Sequence, residues 1–296
     1  MSAWRLTPSY HLDVTTPVAS VIVPAHNEAR VIEGCLKSLL AGAAPDELEI
    51  VVACNGCTDG TEEIAAAVSP EVRVVVAEEA SKWGAMNLGD EVATAYPRMY
   101  LDADVILSER AVQDLAAEMA KTGALVGAPT IRLSTKGQSW AVRNWYDAYQ
   151  QSGYFAPPFV GLGFYGISEV GRKRFGPFPA SGADDLLIKE TFAPHERVVS
   201  DGWFEPALPK TFKDLYNIRV RQLTANKLRS EAAAGSGLTA GQLERDPRWL
   251  LQMLTKPKTA PKGLLYLVMR VVSEGHAMVR SRSKSDFVWS RDTSSH

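Results

Sequence analysis

From Val18 to about Gly123 short β-branched runs alternate with segments of helical period, and this alternation constrains the fold more than any other feature of the chain. "ASVIVPA", "LEIVVAC", "EVRVVVAE" and "RMYLDADV" read as strands, being short, apolar and rich in β-branched residues. "EARVIEGCLKSLLAG", "TEEIAAAV", "KWGAMNLGDEVATAY" and "ERAVQDLAAEMAKTG" read as the intervening helices. In the first of these, Val31, Leu36, Leu39 and Leu40 fall near one helical face and Gly42 supplies a stop. A series of this kind closes through right-handed crossovers into a mostly parallel sheet with helices on both faces, so the expected class is α/β. After Gly123 the pattern loosens. "GALVGAP" and "GFYGIS" read as strands, "SWAVRNWYDAYQQSGYF" as an aromatic-rich helix and "GADDLLIKETF" as a helix opened by two acids. A Gly/Ser segment, "EAAAGSGLTAGQ", sets off a C-terminal part.

The 296 residues carry a formal net charge of −2 and 46% hydrophobic residues, which suits one large globular domain with at most a small appendage. No basic stripe points to nucleic acid, so small molecules or a membrane surface are the expected partners. The first residues lack the apolar core of a signal peptide and no run reaches about 18 apolar residues, so a cytoplasmic protein is expected. Cys35, Cys54 and Cys57 are an odd count, too few for a disulfide framework. The C-x-x-C of "ACNGCTDG" has no second ligand pair in the sequence, so reduced thiols are expected rather than zinc.

In a parallel sheet ligands sit beyond the carboxyl ends of the strands. There "PAHNE" follows the first strand, "CNGCTDG" the second and "DADV" the fourth, so three polar clusters converge on one edge. If the fourth strand continues through them, Asp102 and Asp104 point to the same side and repel. A divalent cation is the simplest relief. Oxygen-only ligation suits Mg²⁺ or Mn²⁺, which bind through one or two carboxylates plus substrate phosphates. The plainer alternative is a solvated corner whose second aspartate caps the next turn.

With these clusters in order, "VIVPAHNE", "NGCTDGT", "KWGAMNLG", "YLDADV" and "ADDLLI" make the chain resemble the family 2 glycosyltransferases from about Val18 to Arg229. That resemblance implies the GT-A fold: an N-terminal arm (1–17), a catalytic domain (18–230) and a C-terminal helical extension (231–296). The catalytic domain would comprise a nucleotide-sugar half, about 18–125, and an acceptor half, about 126–230. The implied reaction moves a sugar, with inversion, from a nucleoside diphosphate sugar to an acceptor hydroxyl in surface polysaccharide, glycolipid or cell-envelope biosynthesis. UDP-sugars are favoured and GDP-sugars remain open. The acceptor would be a glycan, a lipid-linked molecule or a small molecule.

The resemblance also implies roles for residues. Pro24, Ala25, His26, Asn27 and Glu28 would line the nucleoside pocket, with Asn27 also suited to cap the next helix. Asn55 stands where many relatives carry a base-reading aspartate, and an amide can still read uracil. Asp59 is expected to cap the second helix. Lys82 lies near the donor. Asp102, followed by Ala103, would meet the ribose or a metal-bound water, and Asp104 the metal that bridges both phosphates. Of the acidic pair, Asp185 is assigned as the general base, with Asp184 the alternative. "YNIRVRQLTAN" replaces the family's Gln-x-x-Arg-Trp segment without its tryptophan; Arg219 and Arg221 would share a face if extended and suit diphosphate oxygens. His195 is a weak further metal candidate.

Trp140, Trp145, Tyr146, Tyr154 and Phe155 could stack on sugars, although such residues are more often core. "PKGLLYLVMRVVSEGHAMVRSRSK" is too short to span a bilayer; it could lie in a membrane interface, but docking on the catalytic domain is the favoured expectation. Two other readings compete. A haloacid-dehalogenase-like phosphatase also pairs D-x-D with later acids, but its motif normally continues Gly-Thr, where this chain has Val105-Ile106. A non-catalytic sugar-nucleotide-binding protein would not need both candidate bases.

Overall fold

The computed structural model describes residues 16–77, 80–179, 184–234 and 248–282. In chain order the elements are β1 (Ala19–Ala25), α1 (Ile32–Leu40), β2 (Leu48–Asn55), α2 (Thr61–Val68), β3 (Val72–Ala77), α3 (Lys82–Val92), β4 (Arg98–Leu101), β5 (Ile106–Leu107) and α4 (Ala111–Thr122). There follow β6 (Val126–Ile131), α5 (Trp140–Gln150), β7 (Phe164–Ile167), α6 (Glu169–Arg172), α7 (Asp184–Thr191), a 3₁₀ turn (Pro194–Glu196) and β8 (Arg197–Glu205). Helices α8 (Phe212–Ala234), α9 (Arg248–Leu254) and α10 (Ala260–Arg282) complete the chain.

One eight-stranded sheet runs β3-β2-β1-β4-β7-β6-β8-β5. The β3-β2-β1-β4 half is parallel, as the strand–helix alternation requires. Beyond it β7 runs antiparallel to both β4 and β6, and β5 pairs antiparallel with β8 at the far edge. β6 and β7 fall on the expected strands "GALVGAP" and "GFYGIS", whereas β8 is not among the expected strands, since it begins in a stretch whose sequence does not alternate cleanly.

Every residue of β1 is buried, the mark of a central strand covered on both faces. Val21 and Val23 pack with Ile32, Leu36, Val112 and Leu115 on one face. Ile22, on the other, packs with Met86, Tyr100 and Tyr165. Full burial of each such side chain stabilises the fold by about 1.5–3 kcal/mol. Helix α3 lies close enough to β1 that a Cβ on Gly89 would sit 2.4 Å from Ile22 Cγ2. Behind it Asp90, almost fully buried, accepts from Arg98 at 2.8 Å, Arg172 Nε at 2.6 Å and the Tyr100 hydroxyl at 2.7 Å, which locks α3 to β4 and α6.

Three expectations change. The strand expected over "RMYLDADV" ends at Leu101, and Asp102 to Asp104 form a turn in which Val105 N–H donates to the Asp102 carbonyl at 3.1 Å. The aspartates therefore do not project from a continuing strand. The helix expected over "SWAVRNWYDAYQQSGYF" stops at Gln150, because the chain turns through Gly153 at φ 70°. "YNIRVRQLTAN" lies wholly within α8 and is not extended. Of the Gly/Ser segment, residues 231–234 close α8 and the rest lies outside the described residues, as does the arm up to residue 15.

Helices α5, α8, α9 and α10 form a further layer. Trp145, Tyr149 and Tyr266 stack at its centre, with Trp145 and Tyr149 centroids 5.8 and 6.0 Å from Tyr266. Lys262 reaches Asp147 at 2.6 Å, and Tyr216 Oη meets His276 Nδ1 at 2.7 Å, so α10 is docked on one side, as expected. Among the described residues no helix is long and apolar enough to cross a membrane.

Candidate active site

The site is built where the parallel strands end. Ala25 and Cys54 are register partners, so the loops after β1 and β2 leave the sheet side by side. Asn55 donates its side-chain amide to the Ala25 carbonyl at 2.8 Å, and His26 Nδ1 bonds the Asn55 carbonyl in return. Asn55 is buried, and its Oδ1 has no hydrogen-bond partner among the described residues. Asn27 adopts φ 56° and accepts from the Thr58 N–H at 2.8 Å. It therefore ties the two loops together and does not cap α1, whose cap position is Val31 with no side-chain bond. Glu28 N–H donates to Thr61 Oγ1, and Asp59 accepts from Ala29 N–H and from Thr61 N–H, so Asp59 serves the start of α2 and the first loop at once.

The donor atoms of Cys54, Cys57 and Glu62 lie within 4.8 Å of one another, a soft set able to hold a thiophilic cation; Glu62 enters from α2, which the C-x-x-C spacing does not reveal. The Cys57 pKa is held down to about 6 by a hydrogen bond from Cys54, whose own thiol is pushed up.

Across the cleft, α3 starts at Lys82 with Ser81 as its cap, the Ser81 hydroxyl accepting from Gly84 N–H. Lys82 Nζ lies 2.7 Å from Asp102 Oδ1 and 3.3 Å from Asp184 Oδ1. Burial opposes its charge, but the two carboxylates outweigh burial and hold its pKa well above the ordinary lysine range. One ammonium thus joins the strand-end turn to the acidic pair. The like charges that the sequence brings together are balanced in part by this lysine.

A glycine loop locks the two acidic segments together. Asp102 N–H donates to the Gly163 carbonyl at 2.7 Å. Gly163 has φ 99°, and a Cβ there would sit 2.8 Å from Val105 Cγ2. Gly161 has φ 126°, and a Cβ there would sit 2.7 Å from Asp185 Cβ. Both positions need glycine for conformation and for space. Asp185 Oδ2 lies 3.8 Å from Lys189 Nζ, which donates to Tyr154 Oη at 2.7 Å and lies over the Tyr154 and Phe159 rings. Behind Asp184 stands Tyr165, whose buried hydroxyl completes no well-formed hydrogen bond. Burial, then Asp184, push its pKa well up.

Residues 20–174 match the family described as glycosyl transferase family 2. The chain belongs to that family. It is 30% identical over 141 residues to the glycosyltransferase AglE of Haloferax volcanii, covering 46% of each chain. It is also 30% identical over 118 residues to a PGL/p-HBAD biosynthesis glycosyltransferase of Mycobacterium tuberculosis, covering 38% of this chain and 43% of that one. The chain spans less than half the length of these curated relatives. Its fold is shared with the mannosyltransferase PcManGT of Pyrobaculum calidifontis, solved in complex with GDP-Man and Mn²⁺, at a TM-score of 0.57 and 22% identity over 95% of this chain and 83% of that one.

Within this family 2 chain Pro24, Ala25 and Asn55 are the last residues of their strands, His26 to Glu28 and Asp102 to Asp104 lie in the loops that follow strands, and Lys82, Asp184 and Asp185 stand in the first turn of a helix. The two arginines are not brought together. In α8 residues two apart diverge by about 200°, so Arg219 and Arg221 do not share a face. The Arg219 guanidinium lies 5.5 Å from the Trp145 ring and 5.6 Å from the Tyr149 ring. His195 is exposed in the 3₁₀ turn before β8. Trp145 is core, whereas Trp140 is exposed. The sequence reading passed over Tyr165, Lys189 and the glycine loop. The Gly-x-Gly of "VGLGFYG" was the available signal, since closely spaced glycines mark strained turns or close approaches.

Proposed function

We propose that this family 2 chain transfers a sugar, with inversion, from a nucleoside diphosphate sugar to an acceptor hydroxyl. The observation that carries the proposal is the Lys82 bridge, which puts the strand-end turn of Asp102 and the acidic pair of α7 into one site. The loops after β1 and β2 receive the nucleoside. There the unpartnered Asn55 Oδ1 can accept from a base N–H, while His26 and Asn27 keep the loop in shape. Asp102 and Asp104 offer oxygen donors of the kind that suit Mn²⁺ or Mg²⁺, and the Lys82 ammonium at Asp102 shows that this turn accommodates positive charge. When bound there, such an ion supplies Lewis-acid stabilisation of the departing diphosphate.

Asp185 acts as the base. Asp184 is committed to Lys82 at 3.3 Å, whereas Asp185 is held only at 3.8 Å by Lys189 and so keeps a lone pair for the acceptor proton. Gly161 and Lys189 orient it from either side. The acceptor enters by a cavity of about 350 Å³ lined by Gly153, Phe155, Pro157 and Phe159, the last of which also contacts Lys189. The proposed acceptor is a glycan or a lipid-linked molecule, in surface polysaccharide, glycolipid or cell-envelope assembly; the relatives the chain matches are themselves named as glycosyltransferases. Free Cys35, Cys54 and Cys57 support a cytoplasmic setting.

The test is a panel of UDP- and GDP-sugars with and without Mn²⁺, read by thermal shift and by slow donor hydrolysis; GDP-mannose belongs in it because PcManGT binds GDP-Man. A Mn²⁺-dependent shift with one donor is expected. If no donor binds while chromogenic phosphate esters are hydrolysed with Mg²⁺, the phosphatase reading replaces this one.

A further inference from the structure

Helix α10 presents two opposite faces. Tyr266, Met269, Ser273 and Ala277 are buried against the α5 and α8 layer. On the outward side Leu264, Val268, Val271, Val272, Met278 and Val279 are 48–67% exposed. At 3.6 residues per turn these six fall within about 120° of the helix circumference, a continuous apolar stripe four turns long. Gly275 lies on the same stripe, and a Cβ there would meet nothing within 4 Å. Scattered exposed apolar residues are ordinary, but a contiguous stripe of this length marks an interaction surface.

Charge identifies the occupant. Residues 248–282 hold seven Lys and Arg and one acid, Glu274, a net +6; the whole chain is −2, which leaves −8 for everything else. Lys256 and Lys258 precede α10 and Arg280 lies in its last turns, so cations flank the helix along the chain at both ends. The catalytic sheet, on the acidic remainder of the chain, has no such bias.

We infer that the outer face of α10 seats the protein on an anionic membrane surface, with the valine stripe in the headgroup–acyl boundary and the cations against the headgroups. The sequence offers docking on the protein and docking on membrane as alternatives, and the two faces of α10 allow both together. A second copy is a poor occupant, since a two-fold contact through this stripe would set one +6 segment against another. The inference goes beyond the donor chemistry and does not depend on it.

The experiment is co-sedimentation of the full chain with phosphatidylcholine vesicles, with and without about a third phosphatidylglycerol, at low and raised salt, alongside the double variant Val268→Glu/Val272→Glu. Binding is expected to the anionic vesicles only, to fall with salt, and to weaken by roughly tenfold or more in the variant. Both sites are exposed, so the variant's melting temperature and nucleotide response should match wild type, which separates lost membrane contact from misfolding and from any failure of the transferase reading. Absence of binding to anionic vesicles at low salt, or binding undiminished in the variant, overturns the inference. A wild-type dimer that the same substitutions dissociate, without lipid binding, would give the stripe to a second copy.

Discussion

Replacing Lys82 by methionine keeps an unbranched stem one atom shorter and removes the ammonium that touches both Asp102 and Asp184. Two charged contacts are lost, at 2.7 and 3.3 Å. Removing one partner of a buried pair costs about 3–5 kcal/mol, and a hydrogen bond to a charged group about 1.5–3. The three side chains keep 19%, 36% and 15% of their surface, so water screens part of the loss and about 2–3 kcal/mol is the expected cost. For a chain of this size that lowers the melting temperature by about 4–12 °C. The fold raises the lysine pKa, so its contribution is complete below the unfolded value of about 10.4 and fades only as pH climbs through the folded value. The deficit should therefore be flat from about pH 6 to 9. Melting curves with and without Mn²⁺ decide the matter. A divalent cation can replace the missing charge, so Mn²⁺ should stabilise the variant more than the wild type. An equal deficit with and without Mn²⁺ would refute the idea that lysine and metal both serve Asp102, and an unchanged melting temperature would refute the bridge as a support.

Asp104→Asn should weaken nucleotide-sugar binding in Mn²⁺ far more than in EDTA, measured by calorimetry, if the proposed metal-assisted binding uses that carboxylate. Asp185→Asn should lower acceptor-dependent turnover by about 10²–10⁴-fold at nearly constant donor affinity, with Asp184→Asn milder; the reverse order in steady-state kinetics would move the base to Asp184. Gly161→Ala forces a Cβ to 2.7 Å from that of Asp185 at φ 126°, and a displacement of about 1 Å in the base predicts a roughly hundredfold loss of kcat with nucleotide binding retained. Alkylation followed by mass spectrometry should label Cys57 with a rate that rises through about pH 6, while buried Cys35 and Cys54 stay unlabelled.

The parallel half of the sheet was readable because β1, β2 and β4 are short, buried, apolar runs and α1 carries a clear apolar period. The convergence of the strand-end clusters was readable to the same extent, since parallel strands end on one edge and those ends are polar here. Asn27, Asp102 and Arg219 show where reading stopped. Asn27 has the right side chain for a cap, but Thr58 lies across a loop and competes for it. Asp102 is fixed at the strand's end by Gly163, sixty-one positions later, which accepts its N–H, while its own carbonyl turns to accept from Val105. Arg219 sits on a helix whose local composition gave no period to separate it from an extended segment. The outcomes at Asn27 and Asp102 depend on a partner remote in sequence.

The interleaving of the sheet also governs how the chain can be made. β4, from the first half, finds its outer neighbour only in β7, through pairs such as Leu101 with Phe164, and β5 waits for Phe204 and Glu205. A chain emerging from the ribosome therefore carries an open β4 edge for more than sixty residues after that strand is complete. Unpaired edges invite pairing with other chains, and intermediates that expose them are prone to aggregate. Translation pauses placed between residues 101 and 164 should thus be more damaging to yield than pauses after residue 205, and the nucleotide half expressed alone up to residue 125 should be recovered as aggregate unless a β7 segment is supplied in trans.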